Sequence, residues 1–496
     1  MEQSLEVHVK IKSLQRRRRM AHRCATRARK RARTAAPTEI EIKLEVPETA
    51  RAGLAAAMAG PDSHELQLQA TYYDTASGEL ARAGIALRVR RERGCWVQTL
   101  KAPGSDAIGR LEENVVIRSL PGDAAAPLAR LDRHQHPSAQ RVLRQALGLR
   151  KGDRMPETQP VFQVNVTRRV RRVVEGGSTI EVALDDGQLV AQGRKRPIHE
   201  LELELLEGDV RDLVALASRW RSRWGLWFNT ASKAARGHRL ASGELHGPAV
   251  TADRPQLRDK PDLGSFSAAA LDACLRQVMG NASEIAAGSR AEGHVHQLRV
   301  GLRRLRTALR ALPDLEDISR RIEPALVEVF RLLGELRDRS YVLRKIQPLV
   351  EAAGGAPLRV PPGFHEGIDP GERVRSARFQ DAVLELLARA DSLRQAGGPP
   401  ARKLLRRRIG KLHEQVLRDG RRFTRLPPER QHRVRKRLKR LRYLSEFAQG
   451  VFGKKTEDYL EAIKPMQDVL GQYNDEIMAQ HMYQELVGGD PGARFG

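Results

Sequence analysis

Thr38-Glu39-Ile40-Glu41-Ile42-Lys43-Leu44-Glu45-Val46 alternates without a break. On a strand, Glu39, Glu41, Lys43 and Glu45 share one face and Ile40, Ile42, Leu44 and Val46 the other. The apolar face needs a core. For an isolated strand the polar face would simply meet water. Later strands repeat the pattern with the opposite charge.

Outward from this strand, Pro47 to Met58 reads as a helix and is followed by a run of strands. Gln67–Asp74, Ile85–Arg91, Cys95–Lys101 and Arg110–Ile117 precede a helical insert near Ser138–Leu147. Val161–Val174, Ser178–Leu184 and Ile198–Leu206 resume the pattern, giving about eight strands in some 170 residues. Lys43, Arg88, Arg90, Lys101, Arg110 and Arg168 form a basic set on the polar faces. Glu39, Glu41, Glu112, Glu181, Asp185, Glu200, Glu202 and Glu204 form an acidic one. If the sheet closes into a barrel, one of the two alternating faces points inward. Carboxylates there suit a hard divalent cation, and Arg or Lys suits phosphate oxygens. A phosphate chain carrying Mg²⁺ or Mn²⁺ needs both. A closed barrel with a polar outside accounts equally well for the leucines, but not for rows of charge largely segregated by strand.

Length and charge bound the rest. A chain of 496 residues is too long for one core, so at least two domains are expected. The net charge of +27 points to a polyanionic partner, while 4% aromatic residues weaken a reading based on stacked nucleobases. Three dispersed cysteines indicate neither a disulfide framework nor a zinc site. No apolar run approaches the roughly 18 residues that span a bilayer, so a membrane partner is not expected and a reducing cytoplasm is the default. Residues 10–33 carry twelve Lys and Arg and no acid, and 1–35 are read as a disordered basic tail.

The strands resemble the CYTH domain, the triphosphate tunnel metalloenzymes. The resemblance rests on Glu39-Ile-Glu41-Ile-Lys43, Tyr72-Tyr73-Asp74-Thr75, Leu87-Arg88-Val89-Arg90, Thr99-Leu100-Lys101 and Arg110-Leu111-Glu112-Glu113-Asn114. It continues through Glu181-Val-Ala-Leu-Asp185, Glu200-Leu-Glu202-Leu-Glu204 and Ser232-Lys233-Ala-Ala-Arg236-Gly237. It implies an eight-stranded antiparallel tunnel with flanking helices over 36–245. It further implies metal held by the acidic set, phosphate held by the basic set and Lys233, and hydrolysis of a triphosphate-containing substrate. Among its members the chain looks most like the bacterial inorganic triphosphatases. Glu39, Glu41 and Lys43 are the catalytic candidates, Lys43 supporting the attacking water.

Residues 246–262 are polar and proline-rich, a linker. Helical periodicity dominates beyond. His296, Arg299, Arg303 and Arg306 recur at i, i+3, i+7 and i+10, within roughly 80° of arc. His432, Arg435, Lys439 and Arg442 repeat these offsets, and each histidine precedes a Leu-Gly helix, at Leu333-Gly334 and Leu470-Gly471. The separations from histidine to glycine are 38 and 39 residues, an internal duplication. Acids are absent between Gln297 and Pro313 and between Gln431 and Ser445, so the stripes invite an external anion. This half resembles the CHAD domain over 263–487, with 488–496 as a tail. That family implies an all-α bundle of two pseudo-symmetric four-helix units that binds polyphosphate along a basic surface. Arg304 and Arg440, within the repeated His-x₂-Arg-x₃-Arg/Lys-Arg-x-Arg pattern, join the candidates.

The chain thus reads as a multidomain α+β protein: a metal-dependent phosphohydrolase fused to a polyphosphate-binding module, cytoplasmic and associated with polyphosphate granules. A binding protein with weak catalysis is the alternative. A nucleic-acid binder is less favoured for want of aromatics and base-reading motifs.

Overall fold

The computed structural model describes residues 38–92, 94–104, 106–117, 126–354 and 369–488. The basic tail, the last eight residues and most of the Gly354–Gly371 loop lie outside them. The chain divides into two compact units, 1–247 and 248–496.

The first unit is an antiparallel sheet closed on itself. Its strands are β1 (Thr38–Glu45), β2 (His64–Asp74), β3 (Ala86–Glu92), β4 (Cys95–Pro103), β5 (Gly109–Ile117), β6 (Gln159–Glu175), β7 (Ser178–Ala191), β8 (Arg194–Glu207) and a two-residue β9 (Trp227–Phe228). The spatial order is β5-β4-β3-β2-β6-β7-β8-β1, with β9 alongside β1 and β5 pairing back onto β1. Glu39 sits opposite Arg110 across that closing seam. Strands β7 and β8 run further than the sequence pattern indicates, because Gln192 and Gly193 (φ 47° and 75°) form a tight two-residue turn that keeps them paired to its edge. The flanking helices are α1 (Arg51–Met58), α2 (Pro137–Ala146), α3 (Val210–Trp224) and α4 (Lys233–Ser242). Asp209 caps the start of α3 and Gly225, at positive φ, ends it.

One end of the barrel is filled. The inward rows that carry Arg168, Asp185 and Glu200 continue as Phe162, Val164 and Val166, then Leu189, then Ile198. These join Ala70, Tyr72 and Ala191 in one apolar cluster onto which α4 lowers Ala234. A Cβ on Gly237 would collide with the Phe162 ring, so glycine lets α4 sit this deep. Towards the opposite end the same rows become more open, with Glu181 half-buried and Arg172 exposed.

The second unit is helical: α5 (Leu263–Ala286), α6 (Glu292–Ala311), α7 (Glu316–Tyr341), α8 (Ala377–Ala396), α9 (Ala401–Gly420), α10 (Pro428–Phe447) and α11 (Lys454–Gly488). Helix α5 is buried along most of its length beneath α6 and α8. The duplicated stripes fall on α6 and α10. Among the described residues the first repeat has four long helices, α5–α8, and the second three, α9–α11. The stretch expected as linker has no regular structure, yet part of it is fixed to the helices. Asn281 donates to the Val250 carbonyl at 2.8 Å and accepts its N–H at 3.1 Å.

Candidate active site and candidate anion-binding cluster

Alternation aims the polar rows of β1, β7 and β8 into the barrel, and closure brings both charge sets into one space. Lys233, in the first turn of α4 behind the Ser232 cap, points into a group of three acids. Its Nζ lies 2.6 Å from Asp185 and 2.9 Å from Glu202, and it also contacts Glu200. Arg168 binds Asp185 through two parallel hydrogen bonds of 2.6 Å and reaches Glu202. Lys43 stands 3.3 Å from Glu202 and 3.9 Å from Glu200. Asp185 and Glu200 are wholly buried. Arg236, one turn beyond Lys233, binds Glu200 and lies 3.8 Å from Glu45.

A second group occupies β1, β4 and β5. Lys101 contacts Glu39 at 2.5 Å and Glu112 at 3.6 Å, and Arg110 lies 3.6 Å from Glu41. Burial, reinforced by the Glu41 and Glu112 charges, pushes Glu39 up to about 8. Against the cost of burial, Lys101 and Arg88 hold Glu112 down at about 2. Burial and the Glu112 charge also raise Glu204, which with Glu181 marks the more open end. Arg88 donates to the Tyr72 hydroxyl at 3.4 Å, and Arg90 pairs with Glu92 along its own strand.

The barrel therefore gathers Lys43, Arg88, Arg90, Lys101, Arg110, Arg168 and Lys233 with the acids of β1, β5, β7 and β8. Glu181 stands apart, 3.9 Å from Arg172. Two further members were within reach of the sequence. Arg236 follows Lys233 by three residues on a helix, hence on the same face, and Tyr72 lies directly opposite Arg88 in the β2–β3 register. Carboxylate oxygens of Asp185, Glu200 and Glu202 all lie within 4.8 Å of one another. Such an all-oxygen set fits a hard divalent cation. The Lys233 ammonium already stands among them as a cation, which shows that the space tolerates one.

In the helical unit the two basic stripes meet, because α6 and α10 contact one another. Arg299, Arg303 and Arg306 lie over the Phe330 ring at 4.9, 5.3 and 5.7 Å. Burial and the proximity of Arg303 and Arg435 push Lys439 down to about 6. Burial and Arg303 lower Arg299 to about 10. Partial burial and neighbouring cations (Arg303 for one, Lys436 for the other) also lower His296 and His432. Arg337 reaches across to Asp475 at 2.8 Å, tying the equivalent helices α7 and α11 together.

The stripes are not wholly without acids. Glu323, from α7, accepts from Arg306 at 3.0 Å and also contacts Arg310. Glu446 accepts from Arg442 at 2.6 Å. Arg304 is 2% exposed and donates to Gln277 at 3.0 Å and to the Asp253 carbonyl at 2.7 Å, so it belongs to the interior. Arg440 is half-buried beside Arg310 and Arg306, which together with burial lower its pKa.

No helix among the described residues is long and apolar enough to cross a membrane. The CYTH domain family model matches residues 37–237 and the CHAD domain model residues 269–484. An inorganic triphosphatase of Haemophilus influenzae is 31% identical over 212 residues, which cover 42% of this chain and 56% of that protein. The chain thus spans little more than half the length of this curated relative. Among solved structures, the CHAD domain from the plant Ricinus communis is 25% identical, covering 50% of this chain and 86% of that one, with a TM-score of 0.41. A putative adenylyl cyclase from Hippeastrum, described as revealing a dominant triphosphatase activity, is 23% identical, covering 42% and 97% at a TM-score of 0.27. Residues 37–237 thus match the CYTH domain and residues 269–484, following them, the CHAD domain.

Proposed function

We propose that the barrel hydrolyses inorganic triphosphate, or a closely related triphosphate or polyphosphate, with Mg²⁺ or Mn²⁺, and that the helical unit binds polyphosphate. The observation that carries the first half is one enclosed interior in which three clustered carboxylates adjoin seven cationic side chains. Asp185, Glu200 and Glu202 would hold the metal. When bound, it supplies positive charge against the phosphate oxygens and lowers the pKa of a coordinated water.

The chain's own residues do the rest. Arg88, Arg90, Lys101, Arg110 and Arg168 orient the phosphate chain by charge-assisted hydrogen bonds. Lys233 and Lys43 leave their carboxylate partners for phosphate oxygens as the negative charge enters. Lys43, next to Glu202, directs the attacking water in line with the terminal phosphorus. Helix α4 and the apolar cluster beneath it close one end, and exclusion of water strengthens every one of these interactions. The similarity to an inorganic triphosphatase supports this choice of substrate.

Uncompensated cations carry the second half. Arg299, Arg303 and Arg306 crowd over the Phe330 ring, and Lys439, held near 6 by burial and by Arg303 and Arg435, regains its proton when negative charge arrives. The test is orthophosphate release from tripolyphosphate with Mg²⁺, Mn²⁺ or excess chelator. Release that depends on the cation is expected. Undiminished turnover in chelator removes the metal from the reading. Polyphosphate binding without any release would leave a pure binding protein.

A further inference from the structure

The second repeat departs from the first at one edge of the cationic cluster. Counted from the glycine of each Leu-Gly helix, Tyr473 on α11 stands where the first repeat has Leu336 on α7. Counted from the two histidines, Gln431 on α10 stands where α6 has Val295. The exchanged residues meet: the Tyr473 hydroxyl donates to Gln431 Oε1 at 3.0 Å. Gln431 Nε2 in turn donates to the Phe423 carbonyl at 3.0 Å. The Phe423 and Tyr473 rings meet edge to face at 71°, with centroids 6.1 Å apart.

A repeat that accepts leucine and valine at these places has no packing need for tyrosine and glutamine. Tyr473 nonetheless keeps 40% of its surface open to solvent, while a hydrogen bond and an aromatic neighbour fix its ring there. An exposed ring already held in one orientation is a stacking platform, because little side-chain freedom is left to lose when a flat partner lands on it. The platform adjoins the cations. Arg435 lies one turn beyond Gln431 on α10, and its Nε donates at 3.1 Å to the carbonyl of Leu470, one turn before Tyr473 on α11. Residues three or four apart share a helix face, so the ring and the guanidinium sit on the same side, separated by about 4.5 Å of helical rise.

We propose that this edge takes the base of a nucleoside polyphosphate whose phosphates lie on Arg435, Lys439 and Arg303. The proposal rests on the reading of the cluster as a polyphosphate site and names a ligand class for it. The base stacks on Tyr473, the ribose bridges the helical turn to Arg435, and the phosphate chain runs on into the uncompensated charge. Both ends of the Gln431 amide are already engaged within the chain, so recognition is by stacking, and every base has a face to offer. Purines, with the larger face, bind best. One platform serves one base, which suits a nucleotide better than a run of single-stranded RNA. An inorganic chain fills the cations and leaves the ring bare.

Photolabelling of the full chain with 8-azidoadenosine triphosphate, in excess chelator, reports the site by peptide mapping and its affinity by half-saturation. Attachment to a peptide bearing Tyr473 or Phe423 is expected, with ATP and tripolyphosphate both competing there. Tyr473→Leu should weaken ATP at this site roughly fivefold or more and leave tripolyphosphate unchanged. Tyr473→Phe keeps the ring and should keep most of the ATP affinity. Leucine is what the first repeat carries at this place, so the melting temperature should hold. Arg303→Gln with Lys439→Gln should weaken both ligands. Labelling confined to the barrel overturns the proposal, as does ATP affinity indifferent to Tyr473→Leu; the polyphosphate reading then stands if the Arg303 and Lys439 changes still weaken tripolyphosphate. If those changes leave tripolyphosphate untouched, that reading falls and this one with it.

Discussion

Lys233, buried, and Lys439, half-buried, both sit in clusters of charge, and they are driven in opposite directions. In the barrel, Asp185 and Glu200 outweigh burial and hold Lys233 above its ordinary range. In the helices, burial and the arginines around it bring Lys439 down to about 6. The barrel compensates its charges internally, so whatever enters must bring both signs, as a metal-bearing phosphate does. The helical cluster is left in deficit, so an anion alone suffices. The contrast follows from closure. A barrel interior makes all alternating rows neighbours, whereas the stripes of α6 and α10 meet Glu446 at the end of α10 and the acids that α7 and α11 happen to offer.

The largest effect expected is from breaking the compensated side. Glu200→Gln leaves Lys233, Arg236 and Lys43 short of a wholly buried anion. Removing one partner of a buried ion pair costs about 3–5 kcal/mol, so denaturant midpoints should fall clearly. Phosphate release should drop by on the order of 10²–10³ even where the fold survives. A variant that folds and turns over like the parent would place the metal elsewhere. Arg236→Gln should reproduce the loss of stability with a smaller loss of turnover, because its guanidinium touches Glu200 rather than the open space.

The uncompensated side should behave the other way. Arg303→Gln with Lys439→Gln should weaken polyphosphate binding by roughly 10- to 100-fold and flatten its dependence on salt, since fewer counterions are released. The same change should leave the anion-free protein more stable, by relieving repulsion. Single-stranded RNA of matched charge is the control. With few aromatic side chains for bases to stack on, it should bind less tightly, and equal binding would reduce the cluster to a general polyanion surface.

Much of this contrast was legible in the chain. The alternation of Glu39 to Val46 and of Ile198 to Leu206 fixes which face each acid takes, and strict period-two patterns survive folding because a slip of one residue would bury the wrong set. The duplicated histidine stripes were equally plain. What sequence spacing could not supply was which helix brings an acid from outside the stripe. Glu323 is 17 residues from Arg306 and reaches it only because α7 folds back on α6. Arg304 shows the same gap. It lies one residue from Arg303, which is enough on a helix to turn it from the cluster into the interior against Gln277 and Phe447.

Proton linkage gives a subtler test. Lys439 titrates near 6 in the folded protein against about 10.5 in the unfolded chain, so the unfolded state binds more protons between those values. Stability of the anion-free protein should therefore rise with pH across that window, and the full penalty applies below it. A bound phosphate chain favours the ammonium and lifts its pKa, so binding takes up a proton. Affinity should rise as pH falls from 9 towards 6. Below that, His296 and His432 add their own charge. Lys439→Gln should abolish the upper part of the slope and leave the histidine part. Titration calorimetry in buffers of different ionisation enthalpy counts the protons, and no uptake near pH 8 would mean that Lys439 is already charged.

The smallest effect expected is at the two stripe positions that already have acids. Arg306 donates to Glu323 and Arg442 to Glu446, so each must give up an existing partner to contact an incoming anion. The gain on binding is then a difference between two ion pairs, not the whole of one. Such partly exposed pairs are each worth about 0–1 kcal/mol, so Arg306→Gln or Arg442→Gln should change polyphosphate affinity by no more than about threefold. Removing the acid is the more telling experiment. Glu323→Gln frees Arg306 and Arg310 together, extends the deficit of the cluster, and should tighten polyphosphate binding while lowering the stability of the anion-free protein. If it weakens binding instead, Glu323 is holding the arginines in the orientation the anion needs. Compensation and preorganisation would then be the same device in both halves of the molecule.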